Sequence, residues 1–248
     1  MPNRGITSPW PFVALTFALA VPLWVVGAWV DVELLPRLPL AALTVVAPLG
    51  AALILAPDRR ALLVRAVDVR KLPVWAWPVV GLPLAERTLS WFVLRWSGTP
   101  IPTPEVSLLP AVGLTALFLV AGAAEELGWT AVATDPLVAR LGPMGAGLAL
   151  GAVWAGFHLV PLAEAHRSWG WVAWWSLGTV AARVVMVWLY ERTGRSVFAT
   201  IAFHAALNLA WQLFPVQGSF YDPRVSSPIL AAMAAVLIGA AHARRRLG

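Results

Sequence analysis

The sequence predicts an all-α protein, a polytopic bundle of about eight transmembrane helices, and three observations predict it. Of the 248 residues, 60% are hydrophobic and only 12% charged, where soluble domains average about 25% charged. The mean hydropathy is +0.76. The apolar residues also gather into runs near the ~20 needed to cross ~30 Å of hydrocarbon as a helix. No polar stretch is long enough for a second folded unit, so residues 1–248 read as a single integral membrane domain.

The runs follow in order. The first, 10–30, imitates a signal peptide and offers Ala18-Leu19-Ala20 as a cleavage site. It is too long for an ordinary signal h-region, so a retained helix is expected. The second, 39–56, contains Pro48, which should bend it. The third, 74–95, is the least regular, with expected kinks at Pro78 and Pro83 and with Glu86-Arg87 in mid-run. That pair reads most simply as a buried ion pair or a helix interruption, a site role being the alternative. The fourth and fifth, 108–132 and 144–162, are separated by Leu141-Gly142-Pro143, a turn signal. The sixth, 170–190, and seventh, 196–214, precede a short eighth at 227–242. Glycines in GAGLALGAVWAG (145–156) show the small-xxx-small spacing of tightly packed helices. Two connections stand out. SGTPIPTPE (97–105) favours extended backbone. DRRALLVRAVDVRK (58–71) reads as a short helix on an anionic inner leaflet, or else as a solvated linker.

Charge orients the bundle. With eight crossings, the inner segments hold twelve arginines and lysines and the outer loops four. This positive-inside bias should place both termini of a multi-pass protein in the cytoplasm, and the membrane is expected to be a bacterial cytoplasmic one. The net charge of +6 is scattered over segment ends, so no nucleic-acid partner is expected. The 15 tryptophans, many near segment ends, fit interfacial anchoring in the lipid bilayer. The absence of cysteine excludes disulfides, thiolate metal sites and a cysteine nucleophile.

Polar groups inside the apolar runs point to function. Glu125-Glu126, His158, His204 and Asn208 lie within three such runs, where ionisable groups are costly and usually face a protein interior or wet cavity. Trp154 and His158 are four residues apart, as are His204 and Asn208, so each pair shares a helix face. Glu125 and Glu126 are ~100° apart, so one should face the site while the other packs elsewhere. At ~1.5 Å per residue, Glu125 and His158 both lie ~23 Å from the turn at Gly142. His204 lies ~15 Å from the turn at Gly194, and the levels agree if the first hairpin projects ~8 Å further. A buried glutamate suits general-base work on water, histidine can share the proton or bind metal, and asparagine can donate to an oxyanion. If a metal is bound, Glu125, His158 and His204 would form a two-histidine, one-carboxylate set for one Zn2+ with an open position. No HExxH motif occurs.

The ordered pattern EE–WxxxH–HxxxN, at Glu125-Glu126, Trp154 to His158 and His204 to Asn208, resembles the CAAX-processing and bacteriocin-processing (CPBP, Abi) intramembrane proteases. The EELGW context and the turn at Tyr190, Thr193, Gly194 and Arg195 are similar as well. The resemblance covers a protease-like core of about 108–212. It implies an intramembrane endopeptidase acting on membrane-anchored peptides or proteins, with Glu125 and His158 activating water. His204 and Asn208 would stabilise the oxyanion, and Glu126 would support the site. Family members are described both as metalloproteases and as metal-independent enzymes.

One position departs from the family pattern EExxxR, because Thr130 stands where the arginine is expected. The sequence leaves Arg183, within the sixth run, as the substitute cation for Glu126, with Arg87 next. Thr130 also motivates an alternative, a non-catalytic immunity or adaptor protein that retains the scaffold. A proton-coupled transporter is a third reading, weakened by the lack of an internal repeat.

Overall fold

The computed structural model describes residues 7–30, 33–35, 38–70, 72–104, 107–215 and 218–247. Arg4, Arg37 and Lys71, which enter the positive-inside count, lie outside the described residues, as do the side chains of His242 and Arg244 to Arg246. Helices dominate, as the sequence predicts. They are α1 (Trp10–Trp29), α2 (Val46–Leu55), α3 (Arg59–Val64), α4 (Leu72–Trp96), α5 (Leu108–Gly128), α6 (Asp135–Phe157), α7 (Leu159–Glu164), α8 (Trp169–Arg192), α9 (Val197–Leu213) and α10 (Pro223–Leu247). A two-stranded antiparallel pair, β1 (Glu33–Leu35) and β2 (Leu38–Pro39), links α1 to a 3-10 stretch over Leu40–Val45.

Each expected run is helical, but the count of eight crossings is not reproduced by length and composition. Among the described residues, four helical stretches are long and apolar enough to cross a membrane: Trp10–Trp29, Leu108–Phe157, Trp169–Arg192 and Pro223–Ala240. The second of these holds two of the expected runs. Leu40–Leu55 and Val197–Leu213 are apolar but shorter, and α4 is not among the four. The prolines do not interrupt the helices. Pro48 lies within α2, which follows directly on the 3-10 stretch, and the helix continues through it. The chain stays helical through Pro78 and Pro83.

Glu86 and Arg87 pair in mid-helix at 2.5 Å, and Ser90 donates to Glu86 at 3.0 Å. The Arg87 guanidinium lies 4.6 Å from the Tyr221 ring centroid. Of the two roles open to this pair, the structural one is realised. The 58–71 stretch starts with a helix that Asp58 caps, its carboxylate accepting from the Ala61 N–H at 2.9 Å. Residues 99–104 are irregular, and Ile101 packs with Leu94 and Phe214.

The site is positioned by two close helix contacts. Joined by a π-helical turn over Trp129–Thr134, α5 and α6 would run ~43 Å from Glu125 to Trp154 as straight helix. The chain doubles back instead at Gly142, whose φ of 68° is open to glycine. On the returning arm, Gly147 and Gly151 face the backbone of α8. A Cβ at either would come within 2.9 Å of the Val184 or Val180 Cα. The small-xxx-small spacing thus serves helix packing, and it lets α8 bring Arg183 inward. On α5, Gly122 lies against the Ile201 carbonyl of α9, 3.2 Å from a Cβ built there, and opposite His204. Gly151→Ala should therefore force α8 outward, lowering thermal stability by about 1–3 kcal/mol. A detergent unfolding curve unchanged from wild type would contradict this packing argument.

Candidate active site

Glu126 is fully buried and its carboxylate is saturated. Arg183 donates from Nη1 to Oε2 at 2.6 Å and from Nη2 to Oε1 at 3.0 Å. Thr130 Oγ1 donates to Oε2 at 2.5 Å, and His204 Nδ1 meets Oε1 at 3.0 Å. Four donors fill the roughly four lone-pair positions of a carboxylate. The residue that departs from the family pattern is thus a hydrogen-bond donor to the same acid, and the cation comes from α8. Placing that arginine on a neighbouring helix keeps the charge balance while tying α5 to α8.

Glu125 has a different environment. Its Oε2 accepts two indole N–H bonds, from Trp154 at 2.7 Å and from Trp129 at 3.3 Å. Its Oε1 stands 3.8 Å from His204 Nε2, too far for a direct hydrogen bond. One oxygen is held and the other is left uncommitted. The expectation that the two acids diverge is met only in part. They flank a single imidazole, one at each ring nitrogen, because those nitrogens sit on opposite edges of the ring.

Hydrogen-bond logic assigns the tautomers. A carboxylate only accepts, so His204 Nδ1 carries the proton towards Glu126. His158 Nδ1 lies 2.8 Å from the Trp154 carbonyl, which also only accepts. A neutral His158 therefore keeps its Nε2 lone pair free. His158 is half-buried, with its ring edge-on to Trp154 at 5.5 Å between centroids. Asn208, one turn beyond His204, is half-buried and takes part in none of these bonds.

Trp154 does more than share a helix face with His158. Its indole N–H fixes Glu125, its carbonyl fixes His158, and the Arg183 guanidinium stacks 4.1 Å above its ring centroid. Trp129 adds the second indole. Both escape a sequence-based site assignment because tryptophan in an apolar run normally only packs. The signal available was spacing, since Trp129 lies four residues after Glu125 and shares its face. Trp154→Phe keeps the ring and the carbonyl but removes the 2.7 Å bond. Losing a charge-assisted bond worth about 1.5–3 kcal/mol should lower turnover by roughly tenfold to a hundredfold, with the helical circular dichroism signal unchanged. Turnover within twofold of wild type would discount this bond.

The conditional metal set of Glu125, His158 and His204 is not assembled. Among the described residues, no three His, Asp or Glu groups cluster closely enough to hold an ion. Two indoles occupy one Glu125 oxygen and Glu126 holds one His204 nitrogen, so the groups are spaced for hydrogen bonding.

Residues 107–210 match the family model described as Type II CAAX prenyl endopeptidase Rce1-like. The core is similar to this family. No curated protein matches the chain. The Rce1-like segment coincides with the core of about 108–212 that the sequence pattern outlines, and it contains every residue of the site above. The core is thereby similar to endopeptidases of the CAAX kind. Together with the four helices among the described residues that are apolar enough to cross a membrane, this similarity supports association with the bilayer.

Proposed function

We propose that the chain is an intramembrane endopeptidase, one integral membrane domain with cytoplasmic termini, that hydrolyses peptide bonds of membrane-anchored peptides or proteins. The observation that carries this reading is the asymmetry of the two acids. Glu126 is satisfied by four donors, whereas Glu125 keeps one oxygen uncommitted, 3.8 Å from an imidazole nitrogen.

In this reading Glu125 Oε1 takes a proton from water as the water attacks the scissile carbonyl, and His158 Nε2 shares that proton. His204, oriented through Nδ1 by Glu126 and carrying a proton on both ring nitrogens, donates from Nε2 to the developing oxyanion, with the Asn208 amide as second donor. The proton then passes to the leaving amine. Glu126 and Arg183 form a neutral buried pair that fixes His204 and takes no proton itself. Thr130 was the motive for a scaffold without chemistry. With Arg183 supplying the cation, that motive falls away.

The test is incubation of the purified full-length protein with a library of membrane-tethered peptides in heavy-oxygen water. Fragments whose new carboxylate carries one heavy oxygen are expected. No fragment after prolonged incubation, with the protein still folded, would overturn the proposal.

A further inference from the structure

Residues Trp129–Thr134, directly after the two glutamates, form a π-helical turn. In that spacing each carbonyl looks to the N–H five residues on. For Ala131 this is residue 136, which is proline and has no N–H to give. Ala131 is 1% exposed, so water does not replace the missing donor. Arg65 does. Its Nη1 donates to the Ala131 carbonyl at 3.0 Å, while Nη2 donates to the Tyr190 hydroxyl at 2.8 Å and anchors the guanidinium. Arg65 comes from the 3-10 turn Arg65–Val67 that follows α3, outside the matched core.

The turn is the mount for both acids. The Trp129 N–H bonds the carbonyls of Glu125 and Glu126, the Trp129 indole holds Glu125, and the Thr130 hydroxyl holds Glu126. Thr134 closes the turn by donating to the Trp129 carbonyl at 3.2 Å. A change of register here would carry Trp129 and Thr130 off the carboxylates.

We propose that Arg65 is a positioning residue for the carboxylate pair, supplying the donor that Pro136 withholds from the Ala131 carbonyl and so holding the π-helical turn in register. Its effect on turnover rests on the proposed endopeptidase function. Its effect on the turn does not.

The experiment is a cycle of four full-length proteins in one detergent: wild type, Arg65→Ala, Pro136→Ala and the double variant. Pro136→Ala restores a backbone N–H. Two readouts are taken, the thermal unfolding midpoint and steady-state cleavage of a tethered peptide. Arg65→Ala should lower kcat by roughly tenfold to a hundredfold with KM changed less than about twofold, as expected when a catalytic group is misplaced while the substrate still binds. In the Pro136→Ala background the same replacement should cost under about a third as much, in midpoint shift and in logarithm of kcat alike. Equal losses in both backgrounds would overturn the proposal, leaving Arg65 a mere anchor of the 58–70 segment on Tyr190. If Arg65→Ala does not fold, Arg65→Lys, which loses the two-pronged geometry, enters the same cycle. Should wild type cleave nothing, the endopeptidase reading fails, and the unfolding midpoints still decide whether Arg65 and Pro136 are coupled.

Discussion

Glu125→Gln should abolish most peptide cleavage, lowering kcat by about 10²–10⁴-fold, the range for loss of a general base. The amide is close in shape to the carboxylate, so its oxygen can still accept the Trp154 and Trp129 indole N–H bonds. What disappears is the proton acceptor facing His204 Nε2 at 3.8 Å. Glu126 cannot take over the task, because its four donors leave no free lone pair. Substrate binding should be nearly unchanged, so the loss belongs to kcat and not to KM. Single-turnover cleavage of a tethered peptide checks this, with the unfolding midpoint as a control for folding. A variant retaining more than about a third of wild-type turnover would remove Glu125 from the base position.

Arg183→Ala should destabilise the protein by about 3–5 kcal/mol, the cost of leaving a buried charge without its partner. Both members of the pair are fully buried, and the two hydrogen bonds at 2.6 and 3.0 Å are the guanidinium's contribution to Glu126. The substitution also removes the cation stacked on Trp154, so the residue that orients Glu125 and His158 loses its cover. Two second-site changes sharpen the argument. Pairing Arg183→Met with Glu126→Gln removes both charges and should recover most of the stability but not the activity. Pairing Arg183→Ala with Thr130→Arg returns the cation to the position it takes in the family pattern, and should recover part of both. An unfolding midpoint for Arg183→Ala equal to wild type would refute the charge-pair account.

Much of this site was legible in the residues because lipid penalises polarity so strongly. Glu125, Glu126, His158 and His204 stand out against apolar flanks, and helical spacing allowed them one depth if the first hairpin projects ~8 Å further. Arg183 was legible for the same reason, as a buried cation with no partner on its own helix. What could not be read was the division of labour between the acids. Adjacent residues on a helix point in different directions, yet both reach His204, since the ring presents a nitrogen to each. Thr130 looked like a loss in the sequence and proves to be a donor. The roles of Trp154 and Trp129 were hidden because a hydrophobicity pattern does not register an indole N–H.

The amino-acid order alone determined the helical class, the runs, the turn at Gly142 and the set of groups that lipid would exclude, because these depend on composition and local spacing. Only the folded chain decided which oxygen of which glutamate stays free, that Arg183 replaces a missing arginine, and that Arg65 answers for a proline's absent N–H. Those outcomes depend on ångström-scale distances between helices far apart in sequence, set by where Gly122, Gly147 and Gly151 let backbones approach.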